Sequence, residues 1–168
     1  GGDVNGEGVM RPGWWVGAVG GARLSGLVRR LEELDVALLT AAPASRPVPA
    51  VRSGREAAVA LFGGNDGIRD TWTPYGSPDM LGRAALIGLR NDLRRDDEIR
   101  MALDVCSSEG AKLMGASDHG LAEGRAADLL VLPGETLAEA VVNRPRERRV
   151  IKRGRIVARD GVPTRKAP

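Results

Sequence analysis

The chain has 168 residues, with 25 basic and 22 acidic side chains and a net charge of +3. That is long enough for one domain with a real core and too short for a complete (β/α)8 barrel, which needs about 250 residues. Cations alternate with acids, as in Arg94-Arg95-Asp96-Asp97-Glu98-Ile99-Arg100, which argues against a nucleic-acid surface, and no apolar run reaches the roughly 18 residues of a membrane helix.

Residues 1–13 are glycine-rich and lack a hydrophobic period, so residues 1–20 are expected to be irregular. The chain opens Gly1-Gly2-Asp3, and is read as the C-terminal part of a longer protein or the product of a broken reading frame. Leu24, Leu27, Val28, Leu31 and Leu34 recur at helical spacing, with Arg29, Arg30, Glu32 and Glu33 opposite, which predicts a helix over residues 22–34. Residues 36–41 read as a buried parallel strand. Pro43, Pro47 and Pro49 enforce a loop, residues 53–57 allow at most a short helix, and residues 59–62 form the next strand. A long loop over residues 63–78 follows. Helices are expected over residues 79–89 and from a cap at Asp96 or Asp97 to about Met114, closed by Gly115. Residues 128–132 read as a strand and residues 137–142 as a brief helix. Two further strands, residues 149–152 and 155–158, flank Arg153-Gly154, which has hairpin chemistry. The order argues for α/β with a β appendage.

The strongest candidate for chemistry lies after the strand at residues 59–62, which ends in Gly63-Gly64-Asn65-Asp66. A barrel strand delivers a carboxylate to its C-terminal rim in this way, and the two glycines are expected to let the backbone turn tightly. Asp66 is the candidate catalytic residue. The alternative is that it caps a turn. Trp72 and Tyr75 are candidates to wall a pocket, or else Trp72 plugs the loop. Asp70 is read as a loop brace. The single histidine, His119, lies in the loop Ser117-Asp118-His119-Gly120, and the single cysteine, Cys106, on an apolar helical face, is read as core. One cysteine permits no internal disulfide and suits a reducing cytoplasm. Residues 144–155 are the densest basic stretch, and a basic interaction protein is the reading they would favour.

Residues 64–80 (GNDGIRDTWTPYGSPDM) and residues 120–132 (GLAEGRAADLLVL), in that order, resemble the cytosine deaminase-like branch of the amidohydrolase superfamily. The first is similar to the strand-8 segment, and the second to the point where the chain leaves the barrel for a small β-domain. The resemblance implies the C-terminal portion of a TIM (β/α)8 barrel plus strands of the small composite β-domain. It divides the chain into residues 1–20, the last barrel units at 21–116, and the closing strands and tail at 117–168. It implies a metal-dependent hydrolase of non-peptide C–N bonds in cyclic amidines or amino-heterocycles, with Zn or Fe as cofactor and a small-molecule substrate. Neither nucleic acid nor membrane is a partner, a homo-oligomer is expected, and the location is cytoplasmic. Asp66 corresponds to the acid that binds the metal and shuttles a proton, and Trp72 to a residue lining the substrate pocket. Gly67 departs from the pattern, which tends to place a second acid there. The resemblance also calls for a histidine just ahead of the helix near Ala22, where the chain has Arg11-Pro12, with Gly13-Trp14-Trp15 following. The frame shifts near Val16, or the site has decayed. This chain by itself is therefore expected to be inactive and to bind no metal. The alternative is a catalytically dead remnant or binding module.

Overall fold

Two sheets organise the chain, one mostly parallel and one a hairpin meander. The computed structural model describes residues 3–4, 8–12, 22–43, 46–71 and 74–164. The first sheet takes β1 (Asp3–Val4), β2 (Gly8–Pro12), β3 (Val36–Thr40) and β4 (Leu61–Gly63) in that order. β1 runs antiparallel to β2, whereas β2, β3 and β4 are parallel, with Val9 opposite Val36 and Leu38 opposite Leu61. The crossovers carry α1 (Ala22–Glu33) and α2 (Val51–Glu56), as parallel strands require.

The parallel pairing of β3 and β4 matches the expectation from two short apolar runs, although β4 starts and ends later than residues 59–62. The irregular reading of residues 1–20 is corrected at Asp3–Val4 and Gly8–Pro12, which are strands. Gly8–Pro12 has no alternating pattern, and its strand character comes from the ladder it shares with β3.

The core forms where the amphipathic stripe of α1 meets this sheet. Val28, Leu31, Leu38, Val51 and Leu61 are buried together with Ile87, Ala102 and Val105 from the later helices. α3 (Met80–Arg90) starts at Asp79, whose carboxylate accepts the Leu81 amide at 3.1 Å. The single helix expected to reach Met114 is two: α4 (Asp96–Val105) and α5 (Ser108–Leu113). The Ser107 hydroxyl donates to the Leu103 carbonyl at 2.8 Å. Serine competes in this way with the helical ladder, and the break lets α5 pack on β4. The start of α4 also differs from expectation. Arg95 holds the cap position, and the work is done by Glu98, one of whose carboxylate oxygens accepts the amides of Arg94 (2.9 Å) and Arg95 (3.1 Å). The other oxygen takes Arg52 Nη2 at 2.7 Å and Nε at 3.0 Å. Those amides and then Arg52 pull the pKa of this buried carboxyl down to about 2.

The second sheet orders β5 (Leu129–Val131), β6 (Arg149–Lys152), β7 (Arg155–Arg159) and β8 (Val162–Pro163), all antiparallel. Arg153 and Gly154 have φ of 47° and 75°, the pair of positive values a type I′ hairpin demands. β8 was not expected. Its signal was the Asp160-Gly161 dipeptide, which forms a second such turn with φ of 50° and 81°. α6 (Leu137–Asn143), capped by the Thr136 hydroxyl, joins this region to the helices, with Val141 against Leu81 and Ala84. An ion pair reinforces the joint, Arg148 Nη1 donating to Asp79 Oδ1 at 2.8 Å. Burial raises the Asp79 carboxyl, but the Arg148 bond and charge and the Gly82 and Leu81 amides outweigh it, leaving its pKa below the ordinary value.

Candidate functional site

The C-terminal ends of β3 and β4 lie side by side, and the Gly64 amide extends their ladder to the Thr40 carbonyl at 3.0 Å. The chain leaves β4 through Gly63 and Gly64, neither of which has a positive φ. The expectation that they serve a tight turn is corrected: they are glycine for want of room. A Cβ on Gly63 would lie 2.7 Å from Cys106 Sγ and 3.0 Å from Ile87 Cδ1, and one on Gly64 2.8 Å from Leu39 Cδ1.

Asn65, half-buried, is held at both ends of its amide. Its Oδ1 accepts Arg83 Nε at 3.0 Å, and its Nδ2 reaches Met80 Sδ at 3.4 Å. The same guanidinium donates through Nη1 to the Ala41 carbonyl at the end of β3. Asp66 comes next, exposed to solvent, with φ of 55°. Three residues past the end of a parallel strand, it stands where the strand–Gly–Gly order predicted. Sequence reading missed Asn65, Met80 and Arg83. The adjacency of Asn65 to Asp66 was visible, but nothing local marks Arg83.

Beyond Asp66 the loop folds on itself. A Cβ on Gly67 would meet Asp70 Oδ2 at 1.6 Å, and one on Gly76 would meet Ile68 Cα at 2.8 Å. The Asp70 carboxylate thus occupies the space beside Gly67, which fits its reading as a brace. Trp72 lies outside the described residues. Tyr75 is 88% exposed.

Cys106 is half-buried under Gly63, and burial pushes its thiol up to about 12, against a small opposing effect of Arg83. His119 is exposed in the loop after α5, its amide donating to the Ala116 carbonyl at 3.3 Å. Glu33 makes surface pairs with Arg29 (3.9 Å) and Arg30 (2.9 Å). In the basic stretch at residues 144–155, Arg148 turns inward onto Asp79, while Lys152 pairs with Asp128 at the surface. Among the described residues, no three His, Cys, Asp or Glu side chains converge to hold a metal ion, and no helix is long and apolar enough to cross a membrane.

The profile of the amidohydrolase family matches residues 28–158. N-isopropylammelide isopropyl amidohydrolase of Pseudomonas sp. (strain ADP) is 33% identical over 108 residues, which cover 64% of this chain and 27% of that protein. The crystal structure of N-isopropylammelide isopropylaminohydrolase from Burkholderia multivorans superposes with a TM-score of 0.86 at 46% identity, over 94% of this chain and 40% of that one. The 5-methylcytosine deaminase of Klebsiella pneumoniae, liganded with 5-fluorocytosine, gives a TM-score of 0.76 at 22% identity, over 96% and 42% of the two chains. This last likeness concerns the fold alone. The chain spans less than half the length of each of these relatives.

Proposed function

Since this chain belongs to the amidohydrolase family, we propose that it carries the strand-end carboxylate of a hydrolase that cleaves exocyclic C–N bonds of amino-substituted nitrogen heterocycles. The observation that supports this most is Asp66, presented just past the C-terminal end of β4 in a parallel sheet, the edge at which α/β folds do their chemistry. The 46% identity to an isopropylaminohydrolase favours an alkylamino-triazine substrate over cytosine, and so does Gly67 where the cytosine deaminase pattern tends to have an acid. In this reading residues 21–116 are the last units of a TM barrel and residues 117–168 the closing strands of a small β-domain.

Asp66 takes a proton from the water that attacks the ring carbon and delivers it to the departing amine, one carboxylate acting as base and then as acid. Trp72 flanks the ring. The family's divalent metal, Zn or Fe, would activate that water. A tight catalytic site wants about three protein ligands, and the described residues bring no three donors together. They do not fit the metal by themselves, so turnover requires donors supplied by further polypeptide. We assign the protein to the cytoplasm. Exposed Leu130, Val131, Val150 and Val162 on the second sheet favour self-association of the isolated chain, and a strictly monomeric sedimentation profile would count against it.

The test has two arms. The chain alone, with Zn²⁺ or Fe²⁺ added, is assayed for isopropylamine release from N-isopropylammelide and for ammonia release from cytosine and isocytosine; no turnover is expected. A chimera then joins the unmatched part of the Burkholderia enzyme to this chain. It should release isopropylamine and lose that activity in Asp66→Asn. A folded, metal-loaded chimera without turnover on any of these substrates favours the dead-remnant reading. It would end the present one.

A further inference from the structure

We infer that Arg83 is a positioning residue for Asp66, an assignment that rests on the catalytic reading of that carboxylate. Asp66 holds a left-handed backbone, φ 55°, a region that aspartate enters more readily than most residues with a Cβ and that a free loop would average with extended conformations. It is exposed. The neighbouring residue, Asn65, is by contrast fixed at both ends of its amide by α3, through Arg83 Nε on Oδ1 at 3.0 Å and Met80 Sδ near Nδ2 at 3.4 Å.

Arg83 has a second bond, from Nη1 to the Ala41 carbonyl where β3 ends. One guanidinium therefore ties the end of β3 to the segment carrying Asp66, so the carboxylate is referenced to two strands and a helix at once. The helix is itself anchored: its cap, Asp79, is bonded to Arg148. A rigid planar fork with several donors suits two acceptors in different directions, whereas a lysine ammonium on a flexible stem does not hold both. Gly63 and Gly64 bring the strand ends close to Cys106 and Leu39, which leaves the turn little freedom except at Asn65 and Asp66. Catalytic side chains depend on such support, because small misplacements cost rate.

The test uses the isotope-labelled full chain in solution. A positive φ gives Asp66 a strong intraresidue amide-to-Hα NOE. In Arg83→Ala that NOE should fall to the value of an averaged loop, while core amides of β3 and α3 keep their protection from exchange. Asn65→Ala cuts only one arm of the bridge and should lose the same Asp66 signature, the strong intraresidue NOE, with the thermal midpoint held, which keeps the test valid if Arg83→Ala folds poorly. Arg83→Lys should recover the midpoint but not the Asp66 signature. The inference is overturned if the signature survives Arg83→Ala and Asn65→Ala, or if it falls only together with protection of β3 and α3. Failure of the catalytic reading appears elsewhere, as undiminished turnover of the chimera in Asp66→Asn.

Discussion

Gly63→Ala offers a direct test of how tightly the end of β4 is packed. The new methyl carbon would sit 2.7 Å from Cys106 Sγ and 3.0 Å from Ile87 Cδ1, where carbon contacts are normally about 3.5–4.0 Å. Ile87 is fully buried and Cys106 closes α4, so neither neighbour withdraws freely. Overpacking of this kind costs about 1–3 kcal/mol. Replacing glycine stiffens the unfolded chain and returns about 0.4–1 kcal/mol. The net expectation is a loss of about 1–2 kcal/mol, or a fall of about 2–8 °C in Tm at about 2–4 °C per kcal/mol for a chain of this size. Cys106→Ala removes the obstructing sulfur and by itself loses about one buried methylene-sized group, about 0.8 kcal/mol. In the double variant the added methyl occupies the vacated space, so its stability should match that of Cys106→Ala, with a coupling of about 1–2 kcal/mol. Urea denaturation followed by far-UV circular dichroism measures all four proteins. Additive losses, or no loss in Gly63→Ala, would refute the contact on which the reasoning rests.

Asp79 caps α3 and holds Arg148, so Asp79→Ala should cost about 1 kcal/mol for the cap and a further 1–2, roughly, for the charged hydrogen bond. Asp79→Asn keeps the cap and should lose only the second part; equal losses in the two variants would exclude the pairing. The Glu98 pKa falls from 4.5 to about 2 on folding, so its contribution is complete above about pH 4.5 and is lost as pH falls toward 2. Asp79, and Asp128 beside Lys152, are lowered too and act in the same direction. Glu98→Gln should therefore flatten the acid limb of a Tm-against-pH curve, and an unchanged limb would contradict the assignment. With its thiol pushed up to about 12, Cys106 should resist iodoacetamide in the native chain at mildly alkaline pH and react in urea; rapid native labelling, read by mass spectrometry, would show that the site is open.

Much of the fold was legible because its signals are local. The leucine stripe of α1, the apolar run of β3, Asp79 ahead of α3 and the Arg153-Gly154 turn each depend on a few neighbouring residues, and period and turn chemistry report those directly. The same holds for the placement of Asp66 after a strand and two glycines, and for the family, since the two motifs that carry it are contiguous. Asp160-Gly161 was equally local and was passed over. Only the tertiary structure decided the rest. Gly8–Pro12 is a strand because β3 lies beside it, and its own residues do not declare it. The helix from Asp96 breaks at Ser107, where a serine hydroxyl takes the Leu103 carbonyl and α5 turns onto β4. Gly63 and Gly64 are glycine because Cys106, Ile87 and Leu39 fill the space around them. Arg83 meets Asn65 and Ala41 from 18 and 42 residues away. Such contacts join residues distant in the chain, and they form only once helix and sheet have packed and burial has made each missing partner costly.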